Sequence, residues 1–221
     1  MKDPDILRSI NNQSLKGYKL ETCFGIKGCP NRVTDSKELV EKIKVLLESK
    51  HLKEFLEKKL KNKLRIHHQF SISLSDCPNA CSRPQIVDIG IIGTSYPKIS
   101  DSTCKTCGNC VDTCEEDAIQ LLESPPLPII DPEKCLGCGQ CVKNCPTKTL
   151  IQGQTGYRVL IGGKLGRHPQ LGYELKGLFS EQKLLFTIEK ILDFYIQKNK
   201  KGERLGEILN KIGINQLLSL L

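Results

Sequence analysis

Residues 69–92 read QFSISLSDCPNACSRPQIVDIGII, and their pattern decides the fold class. In QFSISLS, Phe70, Ile72 and Leu74 alternate with Gln69, Ser71, Ser73 and Ser75, the period of a half-buried strand with one apolar face. A short turn carrying Cys77 and Cys81 follows, and IVDIGII at 86–92 is apolar enough for a second, more buried strand. Two strands joined by a cysteine-bearing loop place thiols at the end of a sheet.

Outward from this stretch the period becomes helical. Asp35 and Glu38 have capping-box spacing, Leu39, Val40, Ile43, Leu46 and Leu47 share one helical face, and a second amphipathic piece carries Leu52, Phe55, Leu56 and Leu60. Downstream, YRVLIGG at 157–163 predicts a third strand, and SEQKLLFTIEKILDFYIQK and GERLGEILNKIG predict two closing helices. Strands and helices thus surround a cysteine-dense segment interrupted by SPPLP, which predicts an α+β fold with an inserted module. The expected divisions are a short polar segment at 1–22, a first part of the main module at 23–98, an insert at 99–152, and a return strand with helices at 153–221.

The insert repeats itself. CKTCGNCVDTC at 104–114 and CLGCGQCVKNC at 135–145 share the form C-x2-C-x2-C-x3-C, thirty-one residues apart. Three closely spaced thiolates wrap three corners of an iron–sulfur cube, and the fourth cysteine serves the cluster of the other repeat. One [4Fe-4S] cluster is expected on Cys104, Cys107, Cys110 and Cys145, and another on Cys135, Cys138, Cys141 and Cys114. Zinc sites favour two separated C-x2-C pairs, a poorer match to four cysteines in so short a run. The first repeat has Glu115 where the second has Pro146, a change that removes no ligand.

Twelve cysteines are three sets of four. The N-terminus, MKDPDILRSINN, lacks the apolar core of a secretory signal, and no apolar run approaches a bilayer span. A cytoplasmic setting is expected, where thiols bind metal more often than they form disulfides. The formal net charge of +8 is distributed in runs such as KELVEKIK, read as solvated helix faces rather than as a nucleic-acid or membrane surface. Three clusters at about two negative charges each would offset most of it.

Four cysteines remain: Cys23 and Cys29 in CFGIKGCP, and Cys77 and Cys81 in CPNAC. Spacing alone leaves zinc, a lone cubane and unrelated thiols all open. C-x5-C followed by C-x3-C within CPNAC, however, resembles the siroheme-bearing sulfite and nitrite reductases. The resemblance runs on through RPQIVDIGIIG, the doubled cysteine repeat, GYRVLIGGKLGRHPQLG and KKGERLGEILNKIG, and is nearest to the anaerobic and dissimilatory sulfite reductase branch.

The resemblance implies a sulfite reductase hemoprotein-type module with an inserted bacterial-type ferredoxin domain of two [4Fe-4S] clusters. It implies a third [4Fe-4S] cluster on Cys23, Cys29, Cys77 and Cys81, with Cys81 bridging to siroheme iron, and a six-electron reduction of sulfite or a related oxyanion. Arg83, Lys164 and Arg167 are the candidates to meet siroheme carboxylates, and Arg83, Lys164 and His68 are the candidates near the substrate. Relatives carry two lysines, one residue apart, on the strand before CPNAC; this chain has Gln69 and Ser71 there. Relatives also carry a half-module ahead of the first cysteine, so three alternatives stand: a partner subunit or a second copy completes the siroheme pocket, the pocket is unusually open, or siroheme no longer binds. An electron donor protein is implied as well. The alternative from another class is an electron-transfer subunit without siroheme; a zinc-stapled interaction protein is a third reading.

Overall fold

The computed structural model describes residues 15–60 and 63–221, so most of the expected N-terminal segment, including MKDPDILRSINN, lies outside the described residues. Its centre is a five-stranded mixed sheet in the order β1-β2-β3-β6-β7. β1 (Tyr18–Thr22), β2 (Phe70–Ser75) and β3 (Ile89–Ile99) run parallel, while β6 (Leu150–Ile161) returns antiparallel to β3 and pairs with β7 (Tyr173–Glu174).

Alternation explains why the sheet has two unlike faces. Phe70, Ile72, Leu74, Ile89, Ile91, Val159 and Ile161 all point to one side, into a single apolar core. The helices on that side are α1 (Lys37–Ser49), α2 (Leu52–Lys59), α5 (Glu181–Lys198) and α6 (Leu205–Ile212), which contribute Leu39, Ile43, Leu47, Leu56, Ile188, Ile191 and Leu205. Each of these side chains gains roughly 1.5–3 kcal/mol by leaving water. The opposite face carries Lys19, Glu21, Ser71, Ser73, Gly90 and Leu160.

That second face is not simply solvated, as the serine alternation suggested. Ser73 and Ser75 are fully buried, because the loop after Cys81 folds back over the sheet. Ser73 Oγ donates to the Ser82 carbonyl at 2.6 Å, Ser75 Oγ lies 2.7 Å from Ser82 Oγ, and Ser82 Oγ donates to the Leu74 carbonyl at 2.8 Å. The loop lies so close that a Cβ on Gly90 would strike the Pro84 carbonyl.

Four local expectations shift. Tyr18–Thr22, within the segment read as preceding the module, is the edge strand β1, held by parallel pairing with β2 rather than by its own apolar content. Helix α1 starts at Lys37 with Ser36 as its N-cap, so the Asp35–Glu38 box does not form; Asp35 accepts from the Lys37 N–H at 3.3 Å, and the buried Ser36 hydroxyl is taken by Asp76. β3 begins at Ile89 rather than at 86, since Pro84–Ile86 forms a 3-10 turn, and it continues to Ile99. β6 begins at Leu150, seven residues before the apolar YRVLI, because pairing with β3 extends both strands past their apolar pattern.

The cysteine-rich excursion leaves β3 at Ile99 and rejoins β6 at Leu150, two residues that pair directly. It holds α3 (Asn109–Asp112), the hairpin β4 (Ile119–Glu123) and β5 (Pro126–Ile130), and α4 (Gln140–Lys143). Cys110, Ile119, Cys141 and Leu150 form its small core. A last short helix, α7 (Asn215–Leu218), follows α6. Among the described residues no helix is long and apolar enough to cross a membrane.

Candidate functional site: three groups of four cysteines

All twelve cysteines are free thiols. Cys104, Cys107, Cys110 and Cys145 line one small cavity, and Cys114, Cys135, Cys138 and Cys141 line another. Each group therefore takes three cysteines from one repeat and its fourth from the other. The two repeats build matching short helices, α3 and α4, each entered through a left-handed glycine, Gly108 at φ 82° and Gly139 at φ 69°.

The third group forms at the ends of β1 and β2. Parallel pairing carries Thr22 level with Leu74, so Cys23 emerges next to Asp76 and Cys77; the Asp76 N–H donates to Cys23 Sγ at 3.3 Å and the Gly25 N–H at 3.2 Å. Asp76, almost wholly buried, is the anchor. Its Oδ1 accepts from the Thr34 and Ser36 hydroxyls, its carbonyl accepts from the Val33 and Thr34 N–H groups, and a Cβ on Gly25 would strike its carboxylate. Cys29 and Cys81 stand near Cys77 as well, close enough for their charges to bear on its thiol.

Burial dominates the thiol chemistry. It pushes Cys77, Cys110 and Cys135 above the ordinary thiol range and Cys141 up to about 12, with neighbouring cysteines adding to the effect. Cys145 goes the other way: burial raises it, but hydrogen bonds from the Leu150 N–H and from Thr147 outweigh that. Thiols held protonated at neutral pH must release protons as metal binds. Among the described residues no three Cys, His, Asp or Glu side chains meet at single-ion distance. The cysteines ring spaces, an arrangement suited to a polynuclear cluster.

The second repeat is fastened to the main module. The Ser95 N–H donates to the Gly137 carbonyl at 2.8 Å, and Lys143 Nζ donates to the Pro30 and Arg32 carbonyls at 2.7 and 3.4 Å, just beyond Cys29. Cys77, Cys114 and Cys138 line one cavity of about 530 Å³, and none of Cys104, Cys107, Cys110 and Cys145 lines it.

Cys81 differs from its three companions in being exposed. It sits in the loop after β2, where left-handed Ala80 (φ 52°) and Arg83 (φ 57°) turn the chain twice. Beside it a cavity of about 210 Å³ is lined by Lys19, Gln69, Ser71, Arg83, Leu165 and Arg204, among others.

The remaining candidates scatter. Arg83 lines that cavity. Lys164 does not; it is nearly buried and donates to Glu207 at 3.2 Å. Arg167 lies exposed on the loop beyond Lys164. His68 is turned away from the cavity lining and closes the turn Ile66–His68, its Nδ1 accepting the Arg65 N–H at 3.1 Å. Gln69 and Ser71 both line the cavity, and Ser71 is engaged by two residues that sequence reasoning missed, Asp88 and Arg204. The signal was present: an aspartate inside the apolar run IVDIGII requires a buried partner.

Comparison with known proteins agrees in extent with this layout. Over 153 residues, 68% of this chain, it is 38% identical to a coenzyme F420-dependent sulfite reductase of Methanocaldococcus jannaschii, but spans only 24% of that protein. It is 28% identical to the beta subunit of the dissimilatory-type sulfite reductase of Nitratidesulfovibrio vulgaris, over 69% of this chain and 34% of that one. The crystal structure of dissimilatory sulfite reductase I matches with a TM-score of 0.61 at 20% identity, covering 92% of this chain and 52% of that chain, a likeness of fold. The family model for the "Nitrite and sulphite reductase 4Fe-4S domain" matches residues 18–221, from the first strand of the sheet to the last residue, and the chain belongs to that family.

Proposed function

We propose that this chain is an iron–sulfur oxidoreductase component with three [4Fe-4S] clusters and a siroheme, acting on sulfite or a related oxyanion. Cys104, Cys107, Cys110 and Cys145 hold the outermost cluster of a ferredoxin-type insert. Cys114, Cys135, Cys138 and Cys141 hold the second, and Cys23, Cys29, Cys77 and Cys81 hold the third. The observation that carries the reading is the exposure of Cys81: in its group Cys77 is buried and Cys23 and Cys29 are part-buried, while Cys81 is accessible to a ligand.

Siroheme coupled to a cluster supplies, when bound, several electrons at one iron. The chain's own residues do the rest. Cys81 offers an exposed thiolate, Arg83 offers a guanidinium to anionic oxygens in the neighbouring cavity, and Lys143 keeps the second repeat against the Cys29 loop. Because Cys77 shares a cavity with Cys114 and Cys138, electrons are expected to enter at the first repeat's site and leave through the second. Lys164, already paired with Glu207, and Arg167, on the exposed loop, serve siroheme carboxylates only if that loop closes over the cofactor. A partner subunit or second copy completes the siroheme pocket, and a separate protein supplies electrons.

The test is anaerobic purification with iron and acid-labile sulfide determination. About thirteen irons with tetrapyrrole bands support the proposal; about twelve without those bands support the second reading, an electron-transfer subunit. The uncharged Gln69 and Ser71 favour that second reading. Six-electron reduction of sulfite by reduced viologen, absent from a siroheme-replete preparation, removes the substrate assignment and leaves the cofactors.

A further inference from the structure

The geometry points to Arg204 as the residue that binds anionic oxygen in the cavity beside Gln69 and Ser71, in place of the charge that β2 does not carry. This rests on the proposed oxyanion and siroheme chemistry of the same cavity. Lys19 and Arg83 also line the cavity, but both are exposed and neither is fixed by a buried partner. Arg204 is built in. Its Nε donates to both oxygens of Asp88 at 2.9 Å, its Nη2 forms an ion pair with Asp88 Oδ2 at 2.9 Å, and the same Nη2 donates to Ser71 Oγ at 2.8 Å.

Asp88 is completely buried and does not depend on Arg204 alone. It also accepts from the Ser71 N–H and Oγ at 2.8 Å and from the Leu205 N–H at 3.0 Å. Neutral donors fill its remaining acceptor sites, and the ion pair holds the guanidinium in one orientation. Among the described residues Nη1 donates to nothing, while the Arg204 side chain remains 22% exposed at the cavity.

Ser71 is part of the same device. Its Oγ gives its one proton to Asp88 and accepts from Arg204 and from the Asp88 N–H at 3.2 Å. A lysine has three donors and no acceptor, so at this position it would compete for Asp88 and repel Arg204. Serine at 71 and arginine at 204 are therefore alternatives to a lysine on the strand, and the cation comes from the start of the C-terminal helix α6. The ligand chemistry is a compact group of anionic oxygens, from a free oxyanion or from a tetrapyrrole carboxylate.

Two measurements on the purified protein separate these sources: calorimetric titration with sulfite and with nitrite, and the ratio of extracted tetrapyrrole to protein. Arg204→Gln should lower one or both by about 10- to 100-fold, Arg204→Lys should recover part, and Lys42→Gln on the far helix should change neither. Lost anion affinity at full tetrapyrrole content assigns Arg204 to the oxyanion; lost tetrapyrrole at unchanged affinity assigns it to a carboxylate. Asp88→Asn combined with Arg204→Gln repeats the test without an orphaned buried charge. If neither glutamine variant folds, Ser71→Ala decides, since freeing Nη2 must alter one of the two readings by about threefold or more. Changes within twofold in all folded variants overturn the assignment. A wild type without tetrapyrrole that binds sulfite through Arg204 removes the siroheme reading and leaves this one; a wild type with tetrapyrrole that is indifferent to Arg204 does the reverse. A wild type with neither overturns both.

Discussion

The Ser95 N–H donates to the Gly137 carbonyl at 2.8 Å, so the second cysteine repeat is hydrogen-bonded directly to the central sheet. Ser95 and Cys138 also form a parallel bridge, and the contact lies at the bulge where β3 and β6 change register between Ser95 and Pro97. Cys138 of this repeat and Cys77 line one cavity.

Gly137 is the sensitive point of this junction. It has φ 69°, and a Cβ there would strike the Thr94 side chain. Gly137→Ala is expected to cost about 1–3 kcal/mol and to lower the midpoint of thermal unfolding by several degrees. Scanning calorimetry on the cluster-loaded protein checks this.

The exchange of fourth ligands between the repeats gives an asymmetric outcome. Cys114→Ser and Cys141→Ser, although in different repeats, should disturb the same cluster and leave identical residual spectra. Cys145→Ser should instead match Cys110→Ser. Electron paramagnetic resonance of the reduced proteins, with iron content falling by up to about four per chain, is the measurement.

Asp88 carries the junction of β3 with the C-terminal helix. Asp88→Ala removes the acceptor for Ser71, Leu205 and Arg204 at a fully buried site, with an expected loss of about 3–5 kcal/mol. Asp88→Asn retains an acceptor and should lose less. Urea unfolding with unchanged slope distinguishes a loss of stability from a change in the unfolded chain.

His68 sets a pH dependence. Burial, then the charges of His67 and Arg65, push its pKa below the ordinary 6.5. The folded state therefore holds fewer protons than the unfolded one, and its contribution is full above the unfolded value and fades as pH falls through it towards the folded value. Protonation would also take Nδ1 away as the acceptor of the Arg65 N–H. An NMR titration should place its midpoint below 6.5, and His68→Gln should flatten stability between about pH 5 and 7.

Much of this was legible in the chain itself. The apolar faces of α1, α5 and α6 and the inward row Phe70, Ile72 and Leu74 are written in helical and strand periods, because a core position is defined by period and hydrophobicity alone. Element ends were less legible. β1 and the first half of β6 owe their existence to a neighbouring strand, which no local window contains.

The sequence by itself determined the cysteine repeats, the family resemblance and the two-faced character of the central strand, since each depends on short-range spacing. Only the tertiary structure decided which candidates meet. It set Lys164 against Glu207 and His68 into a turn, and it drew Arg204 across from the C-terminal helix to Asp88 and Ser71. The physical reason is that a buried carboxylate takes its partners wherever packing delivers donors, and residues 116 positions apart carry no local sign that they will touch.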